Sequence, residues 1–336
     1  MANRKFLWTA EEVAVLITHY PIEGQGVSHR LPGRSGEACE QKARLLGLSL
    51  VRPGTTTSEI PTANRDIIKL LQDRAEEFER KGAHHKAKQG VVIGRPTNEP
   101  YGLLLTGDPH LDDPGCDILE FATTLALARK HKDKVLIANV GDLTNNWIGS
   151  LGRLYAHQTT TDDEAIELIK WMLTECEWAW VVLGNHDKWS PLAGLLCQQH
   201  EVPYVSHGGV FTIDAPGGRS LVIDCAHTHS GNSMYNASHA QVKRNYRGSR
   251  SDIIIGGHTH TGAHTILKNG FSGQVSHCIR LGSFKKYDDY ADSKGFVDES
   301  LGASVLFTID PNNDHPLGWI QAWYDIEAGI DYLIRQ

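Results

Sequence analysis

The stretch Trp178–Asp187, which reads WAWVVLGNHD, decides how the rest of the chain is interpreted. It begins with a short apolar run of the kind that forms a buried strand. The run stops abruptly at a Gly-Asn-His-Asp turn, so Asn185, His186 and Asp187 are expected to lie together at the end of the strand. An amide, an imidazole and a carboxylate delivered to one place in this way predict a metal site on a sheet.

The same arrangement recurs in four other stretches, each an apolar run followed by residue types that bind metals. The runs and the residues after them are Leu103–Thr106 with Asp108 and His110, Val135–Val140 with Asp142, Leu221–Ala226 with His227, and Asp252–Ile255 with His258 and His260. In open α/β sheets, ligands bind outside the carboxyl ends of the strands. We therefore expect five strands to deliver their ligands to one crevice.

Taken in order, D-x-H, GD, GNHD, a lone His and GHxH resemble the motifs of the calcineurin-like metallophosphoesterase superfamily, from about Tyr101 to Asp310. The resemblance implies an α/β fold, a two-sheet sandwich flanked by helices. Amphipathic patterns predict helices over Asp117–His131 and Asp162–Cys176, which alternate with the first strands and indicate parallel pairing. After Val202, short strands and Gly-rich turns suit a second sheet packed on the first.

The resemblance also implies two divalent metal ions with a ligand set for each. Asp108, His110 and His260 would hold the first ion, Asn185, His227 and His258 the second, and Asp142 would bridge them. A hydroxide between the ions would attack phosphorus in line. Because Asp, His and Asn donors suit borderline metals, we expect Mn²⁺, with Fe, Zn or Ni as alternatives.

Two catalytic roles are implied beside these ligands. His186 would donate a proton to the leaving oxygen or stabilise the transition state, and Asp187 would orient it. The fourth motif has several interpretations, because CAHTHSGNSMYNASH contains His227, His229 and His239. His227 is favoured since it directly follows the apolar run, and a role for His229 or His239 stays open.

The expected substrate class follows from differences from the protein phosphatases of the superfamily. Those enzymes have GDxxDRG and GNHE, whereas this chain has GDLTNNW from Gly141 and GNHDKW from Gly184. The arginine that clamps a phosphomonoester is missing from that position, and GNHD is shared with nuclease-like and cyclic-nucleotide phosphodiesterase branches. We expect the protein to hydrolyse phosphodiesters, and we expect DNA to be the substrate. The alternatives are a small-nucleotide phosphodiesterase or phosphomonoesterase and, in another class, a DNA-binding or assembly protein with a vestigial metal centre.

Residues 1–50 predict a small helical unit. Thr9 to Glu12 form a capping box at the start of a first helix. The apolar face of that helix comprises Trp8, Val13, Leu16 and Ile17. Ser35 can cap a second helix, Gly36–Leu46, which ends at Gly47.

WTAEEVAVL and LPGRSGEACEQKARLLGL resemble the Myb/SANT-like helix-turn-helix modules that accompany some phage and prophage proteins. In such modules the last helix enters the major groove of DNA. The residues that would then lie near DNA are Arg34, Gln41, Lys42 and Arg44. Glu37 and Glu40 share that helix and no middle helix is evident, so a docking or dimerisation unit is the alternative. GNSMYN, Asn145–Trp147 and GSFKKYDDYA also resemble phage-type members of the superfamily.

Residues 51–98 are expected to connect this unit to a catalytic domain over residues 99–336. Pro, Gly and Thr/Ser dominate residues 51–61, which indicates a linker. A charged helix is expected from about Thr62 to Lys81, followed by a solvated basic loop over Lys81–Lys88. The helix would pack on the catalytic domain or on a second copy through Ile67, Ile68, Leu71, Ala75 and Phe78.

The composition is that of a soluble globular protein, with 40% hydrophobic and 22% charged residues among 336. No apolar run approaches the roughly 20 residues needed to cross a bilayer, and the first residues lack a signal-peptide core. We therefore expect a cytoplasmic protein, and the resemblance to phage-type members implies a bacterial host cell and a phage or prophage origin. The six cysteines have no framework spacing and are expected to be reduced and mostly buried.

Net charge is uneven along the chain. Residues 1–50 carry six Lys/Arg against five Asp/Glu (net +1), residues 51–98 carry nine against six (net +3), and residues 99–336 carry eighteen against twenty-nine (net −11). The expected catalytic domain is therefore acidic, while the segment before it is mildly basic. Charge alone gives only a weak argument for nucleic-acid binding.

Overall fold

The structure is a computed structural model that describes residues 7–50, 67–88, 90–287 and 301–336. The chain divides into two compact units, Met1–Ala75 and Glu76–Gln336. The predicted linker over residues 51–61 lies outside the described residues, as does the expected start of the next helix over residues 62–66.

The first unit is helical. It contains helix α1 (Ala10–Glu23), a 3₁₀ helix (Gly24–Arg30) and helix α2 (Gly36–Leu45). The capping box of Thr9 and Glu12 is present, and the Ser35 hydroxyl accepts a hydrogen bond from the Ala38 amide, as the sequence predicted. The 3₁₀ helix supplies the middle element that the sequence did not indicate.

This unit has its own small core, which comprises Leu16, Tyr20, Val27, Leu31, Cys39 and Ala43. The predicted apolar face of α1 was partly wrong, because Ile17 is exposed and Tyr20 is buried. Tyr20 lies four residues after Leu16 and therefore on the same face of the helix. Helix periodicity accounts for the difference.

Helix α3 (Ile67–Ala87) continues through the basic tract that we expected to be a loop. Lys, Arg and Ala are good helix formers, and Lys81 pairs with Glu77 one turn earlier at 2.9 Å. None of the residues of α3 is buried, so the predicted burial of its apolar face within the chain was wrong. Packing of that face on a second copy stays a prediction.

The second unit contains two six-stranded sheets. The strands are β1 (Val91–Gly94), β2 (Tyr101–Thr106), β3 (Val135–Asn139), β4 (Trp178–Leu183), β5 (Tyr204–Ser206), β6 (Gly208–Asp214), β7 (Leu221–Ala226), β8 (Ile253–Gly256), β9 (Ala263–Lys268), β10 (Val275–Arg280), β11 (Ser304–Ile309) and β12 (Ile320–Trp323). This mixed α/β architecture confirms the predicted two-sheet sandwich.

The first sheet has the order β12-β11-β2-β3-β4-β5. Strands β2 to β5 are parallel, while β11 and β12 add antiparallel neighbours at one side. Thr106 pairs with Asn139, and Asn139 with Val181, so the carboxyl ends of β2, β3 and β4 lie at one edge. The loops that carry the predicted ligands leave the sheet at that edge.

The second sheet has the order β1-β6-β7-β8-β10-β9. Strands β7, β8 and β10 are parallel, with Arg280 at the end of β10 opposite Gly256 at the end of β8. Strand β1 was not foreseen, and it pairs with β6 over Val91–Gly94. The sheet therefore begins before residue 99, where we expected the catalytic domain to start.

Helices connect the strands of both sheets and pack against them, the one over His239–Tyr246 on β8 and β10 of the second sheet. They are α4 (Ile118–Lys130), a 3₁₀ helix (Gly149–His157), α5 (Asp162–Glu175), α6 (Asn185–Lys188), α7 (Leu192–Gln199), α8 (His239–Tyr246) and α9 (Ile326–Ile334). Helices α4 and α5 match the two that the sequence predicted. Asp117 and Thr161 cap them by accepting backbone amide hydrogens.

Apolar side chains of both sheets meet in a common layer. Trp180 of β4 stacks on Phe211 of β6, with ring centroids 4.1 Å apart. Alternate residues of β2, such as Leu103 and Leu105, face this layer, whereas Leu104 faces the helices. Burial on both faces fixes the register of the strands and hence the position of their ends.

All six cysteines are free, and five of them are buried, as expected. Among the described helices, none is long and apolar enough to cross a membrane.

Candidate metal centre

The ends of the predicted ligand strands converge in space. Backbone geometry there is unusual, because several ligand candidates adopt positive φ angles that residues other than glycine rarely adopt. These residues are Asp108 (38°), His110 (44°), Asp142 (55°), His258 (78°) and His260 (56°). Such strain concentrates at functional sites, where the surrounding structure holds it in place.

Two glycines allow the loops to approach one another closely. A Cβ on Gly257 would lie 2.5 Å from Asp108 Oδ1, and one on Gly184 would collide with the Asp142 carboxylate. A side chain at either position would therefore displace a predicted ligand. The Gly residues of GNHD and GHxH are needed for the shape of the site.

The predicted second ligand set lies around the His227 imidazole. His227 Nε2 is 3.0 Å from Asp142 Oδ2, 2.9 Å from Asn185 Oδ1 and 3.2 Å from His258 Nδ1. The ligand atoms of Asp142, His227 and His258 all lie within 4.8 Å of one another. His227 Nδ1 is 3.0 Å from the Val140 carbonyl, which fixes the ring and directs Nε2 to the cluster.

The predicted first ligand set lies beside it. His110 Nε2 is 3.1 Å from His260 Nε2, and His260 Nε2 is 3.7 Å from Asp108 Oδ2. Asp142 Oδ2 is 4.0 Å from His110 Nε2 and thus stands between the two sets, where a bridging ligand belongs. The structure brings together all seven residues that the sequence nominated.

The donor atoms fit divalent metal ions. With metal–nitrogen distances of about 2.1 Å, two ligands at a right angle are separated by about 3 Å, which is the spacing found here. Within the described part of the chain, buried Asp108 Oδ1 and His110 Nδ1 have no hydrogen-bond partner, and the His227 ring nitrogen nearest to that carboxylate oxygen is 3.6 Å away. A carboxylate at 0% exposure is costly unless nearby cations offset its charge, and a divalent ion would do so.

Electrostatics at the centre are dominated by burial. Burial raises the pKa of Asp108 to about 8. For Asp142 burial acts in the same direction, but the hydrogen bond to His227 and neighbouring imidazoles hold its pKa below the usual range. Burial would lower the pKa of His227, yet Asp108 and Asp142 raise it to about 9. Cations would replace the protons that the cluster otherwise shares.

His186 lies at the rim of this cluster. Its Nδ1 contacts the Asn145 carbonyl, and its Nε2 is 3.9 Å from Asp142 Oδ2. The rings of Trp147 and Trp189 pack against it, with centroids 5.1 and 4.2 Å away. Burial lowers the pKa of His186, which favours the neutral imidazole. The ring is held in place with one nitrogen facing the centre.

Asp187 does not orient His186 as we expected. Its carboxylate accepts hydrogen bonds from the backbone amides of Asp142, Leu143 and Gly184, at 2.8 to 2.9 Å. These three bonds occupy both oxygens and fasten the GNHD turn to the GD loop. Asp187 thus positions Asp142, the predicted bridging ligand, while the Asn145 carbonyl orients His186.

A polar network that sequence reasoning missed supports the loop carrying Trp147. Asp112 Oδ1 accepts from the Asn145 amide at 2.7 Å, and Asp113 accepts from the Asn145 side chain at 2.8 Å. Lys285 pairs with Asp113 at 2.9 Å and lies 5.4 Å from the Trp147 ring centroid. Lone Asp and Lys residues in the sequence carry no signal of such a network.

Neither alternative for the fourth motif makes one of the ligand contacts of the cluster. His229 is half-buried and its Nε2 is 3.2 Å from the Ile255 carbonyl. His239 begins helix α8. His227 is therefore the member of the three that meets Asp142.

The residues predicted to contact DNA lie at the start and along the exposed side of α2. Arg34 donates to both carboxylate oxygens of Glu12, at 3.0 and 2.7 Å, and lies over the Trp8 ring. Arg44 pairs with Glu40 at 2.7 Å. Gln41 is exposed and Lys42 partly exposed. Arg34 thus ties α2 to the start of α1, whereas Lys42 and Arg44 remain accessible.

Comparison with known proteins gives a family match over the part of the chain that holds the ligands. A family model described as calcineurin-like phosphoesterase matches residues 102–262. No curated protein sequence matches the chain.

Several solved structures are similar to this one. An archaeal phosphodiesterase shares 13% identity, covering 66% of this chain and 98% of its own, with a TM-score of 0.36. Vps29 from Entamoeba histolytica, complexed with zinc, shares 17% identity over 66% of this chain and 97% of its own, with a TM-score of 0.36. The phosphoesterase YfkN from Bacillus subtilis shares 13% identity over 67% and 90%, with a TM-score of 0.33.

Proposed function

We propose that the substrates of this chain are phosphodiesters, and that nucleic acid is the first of them to test. The premise is that residues 102–262 are a calcineurin-like phosphoesterase domain and that the chain is a metal-dependent phosphoester hydrolase. The observation that carries this proposal is the loop after Asp142. Asn145 and Asn146 of that loop donate to Asp113 and to the His186 carbonyl. The loop therefore presents no cation to the second negative charge of a phosphomonoester.

One divalent ion would be held by Asp108, His110 and His260. The other would be held by Asn185, His227 and His258, and both ions would share Asp142. Bound there, Mn²⁺ ions would neutralise charge on the phosphoryl oxygens and supply a hydroxide nucleophile at neutral pH. Fe, Zn or Ni would suit the same donors.

His186 would supply the proton that the leaving oxygen needs. Its Nδ1 is fixed by the Asn145 carbonyl, so Nε2 is the nitrogen directed to the centre. The rings of Trp147 and Trp189 pack against the imidazole and hold it in place. Only the imidazolium form of His186 can donate this proton, so the protonated fraction of the ring would act as the general acid.

We further propose that the first unit is a Myb/SANT-like module that guides a cytoplasmic, phage- or prophage-encoded enzyme to DNA. Lys42 and Arg44 on the outer side of α2 support this role, together with the net positive charge of residues 1–98.

A second candidate function is hydrolysis of small nucleotides, with the first unit serving oligomerisation. The observation that favours it is the net charge of −11 over residues 99–336, which would repel a long DNA strand away from the metal centre.

The test is Mn²⁺-dependent cleavage of labelled single- and double-stranded DNA beside cyclic nucleotides and p-nitrophenyl phosphate, with His186→Ala as control. We expect DNA cleavage that the substitution abolishes. Turnover of small esters without any DNA cleavage would refute the nucleic-acid proposal and support the second candidate.

A further inference from the structure

Arg280 lies at the same edge of the second sheet as the metal ligands, although it belongs to none of the ligand motifs. It is the last residue of β10 and pairs with Gly256, the last residue of β8. The loop after β8 carries His258 and His260. Arg280 is therefore next to the metal centre through the register of two parallel strands.

Arg280 is buried, and its guanidinium has no counter-charge within the described ranges of the chain. Only 6% of the residue is exposed, and Nη1 donates to the Thr259 hydroxyl at 2.9 Å. No carboxylate of the described residues lies within ion-pair distance of it. Burial lowers its pKa, with no anion to offset the effect. Keeping a cation buried and unpaired is costly unless a ligand supplies the anion.

Arg280 lines a cavity of about 410 Å³, within the size range of small-molecule sites. Other lining residues include Gln241, Asn232, Thr228, Thr259 and His258. The cavity therefore presents a cation with no counter-charge among the described residues, which matches a ligand with an anionic group.

His258 alone among the seven predicted ligands lines this cavity. A group held there is consequently separate from the phosphorus under attack, which lies between the two ligand sets. A ligand that extends from this cavity to the space between the two ligand sets must therefore have two groups that bind the protein, one for each place.

We propose that Arg280 binds a second phosphate of the substrate, adjacent to the scissile phosphodiester. The planar guanidinium fork matches phosphate oxygens. This proposal rests on the proposed function and narrows it to substrates with at least two neighbouring phosphates, such as oligonucleotides.

The experiment compares three thymidine dinucleotides: one unphosphorylated, one with a 5′-phosphate and one with a 3′-phosphate. With Mn²⁺, the wild type should hydrolyse one phosphorylated form with a kcat/KM about 10- to 100-fold above that of the unphosphorylated form, as a charge-assisted contact allows. In Arg280→Met that ratio should fall close to one. Arg219→Met is the matched control, because Arg219 packs on Trp319 outside the cavity, and it should keep the wild-type ratio.

Binding provides a readout independent of turnover. After removal of metals with EDTA, calorimetry should show that the wild type binds thymidine 3′- or 5′-monophosphate at least about 10-fold more tightly than thymidine, and that Arg280→Met loses the difference. The role of Arg280 would be overturned if the wild type bound thymidine and its monophosphates with equal affinity. It would also be overturned if Arg280→Met kept the preference for the monophosphates. Absence of any ester hydrolysis would instead refute the proposed function and leave the binding result to decide on Arg280.

Discussion

His186 shows how one residue obtains a role from its surroundings. The GNHD motif predicted an imidazole near the metals, but the contacts that define its function come from other segments. The Asn145 carbonyl selects the nitrogen, and Trp147 and Trp189 hold the ring. None of these three residues has a sequence signal that identifies it as a partner of His186.

Replacing His186 by Ala should lower kcat by about 10²- to 10⁴-fold, the usual contribution of a general acid. Metal content should not change, because the ligand sets do not include His186. Steady-state kinetics and elemental analysis of the same sample measure both quantities. His227→Ala serves as the contrasting variant and should lose metal, and a His186→Ala protein that lost metal to the same extent would contradict the assignment.

At the level of residues, the ligands were predictable and their supports were not. Asp108, Asp142 and His227 each follow an apolar run, and a strand-end position needs only local sequence to recognise. Asp187 was expected to orient His186, but its binding to backbone amides depends on how two loops meet. Arg280 had no motif, since its burial follows from the pairing of β10 with β8.

At the level of elements, periodicity identified the long segments and missed the short ones. Strands β2, β3, β4, β7 and β8 and helices α4 and α5 have clear apolar patterns. Strand β1 has four residues, and its pairing with β6 spans more than 100 residues of sequence, so local pattern could not reveal it. The end of α3 was misjudged because its basic composition suits a loop as well as an exposed helix.

Strands β9 and β10 carry a histidine pair that should make stability depend on pH. His264 Nε2 is 3.1 Å from His277 Nδ1, with the Phe307 ring against His277 and the titratable Tyr324 beside His264. Burial lowers the pKa of both histidines to about 4. Between pH 6.5 and 4 the unfolded chain therefore binds more protons than the folded one, and the free energy of unfolding falls as the pH falls.

Between pH 7 and pH 5, the free energy of unfolding should fall by about 1 to 3 kcal/mol less in the double variant His264→Gln, His277→Gln than in the wild type. Urea unfolding of both proteins at each pH measures it, and histidines elsewhere cancel in the difference. Identical pH profiles for the two proteins would show that the pair does not titrate in this range.

At the level of the whole molecule, charge separates the chain into a mildly basic first part and an acidic catalytic part. If the first unit contacts DNA, reversing two accessible charges of α2 should weaken binding. In the Lys42→Glu, Arg44→Glu variant, the dependence of log K on log salt should become shallower by about 2, one for each lost phosphate contact.

The matched control is Lys130→Glu, Lys268→Glu, which changes the total charge equally but lies outside the first unit. Fluorescence anisotropy with labelled DNA over a salt series measures both variants. Equal changes of the salt dependence in the two double variants would show that only net charge affects DNA binding. That result would favour a docking or dimerisation role for the first unit.

We propose that residues from five strand ends form a metal centre that hydrolyses phosphodiesters. The most direct test of this proposal is the rate of bis-p-nitrophenyl phosphate hydrolysis with Mn²⁺ by the wild type and by Asp108→Ala. Because Asp108 would hold one of two cooperating ions, we expect the wild type to be faster by at least about 10²-fold. Equal rates in the two proteins would contradict the proposal.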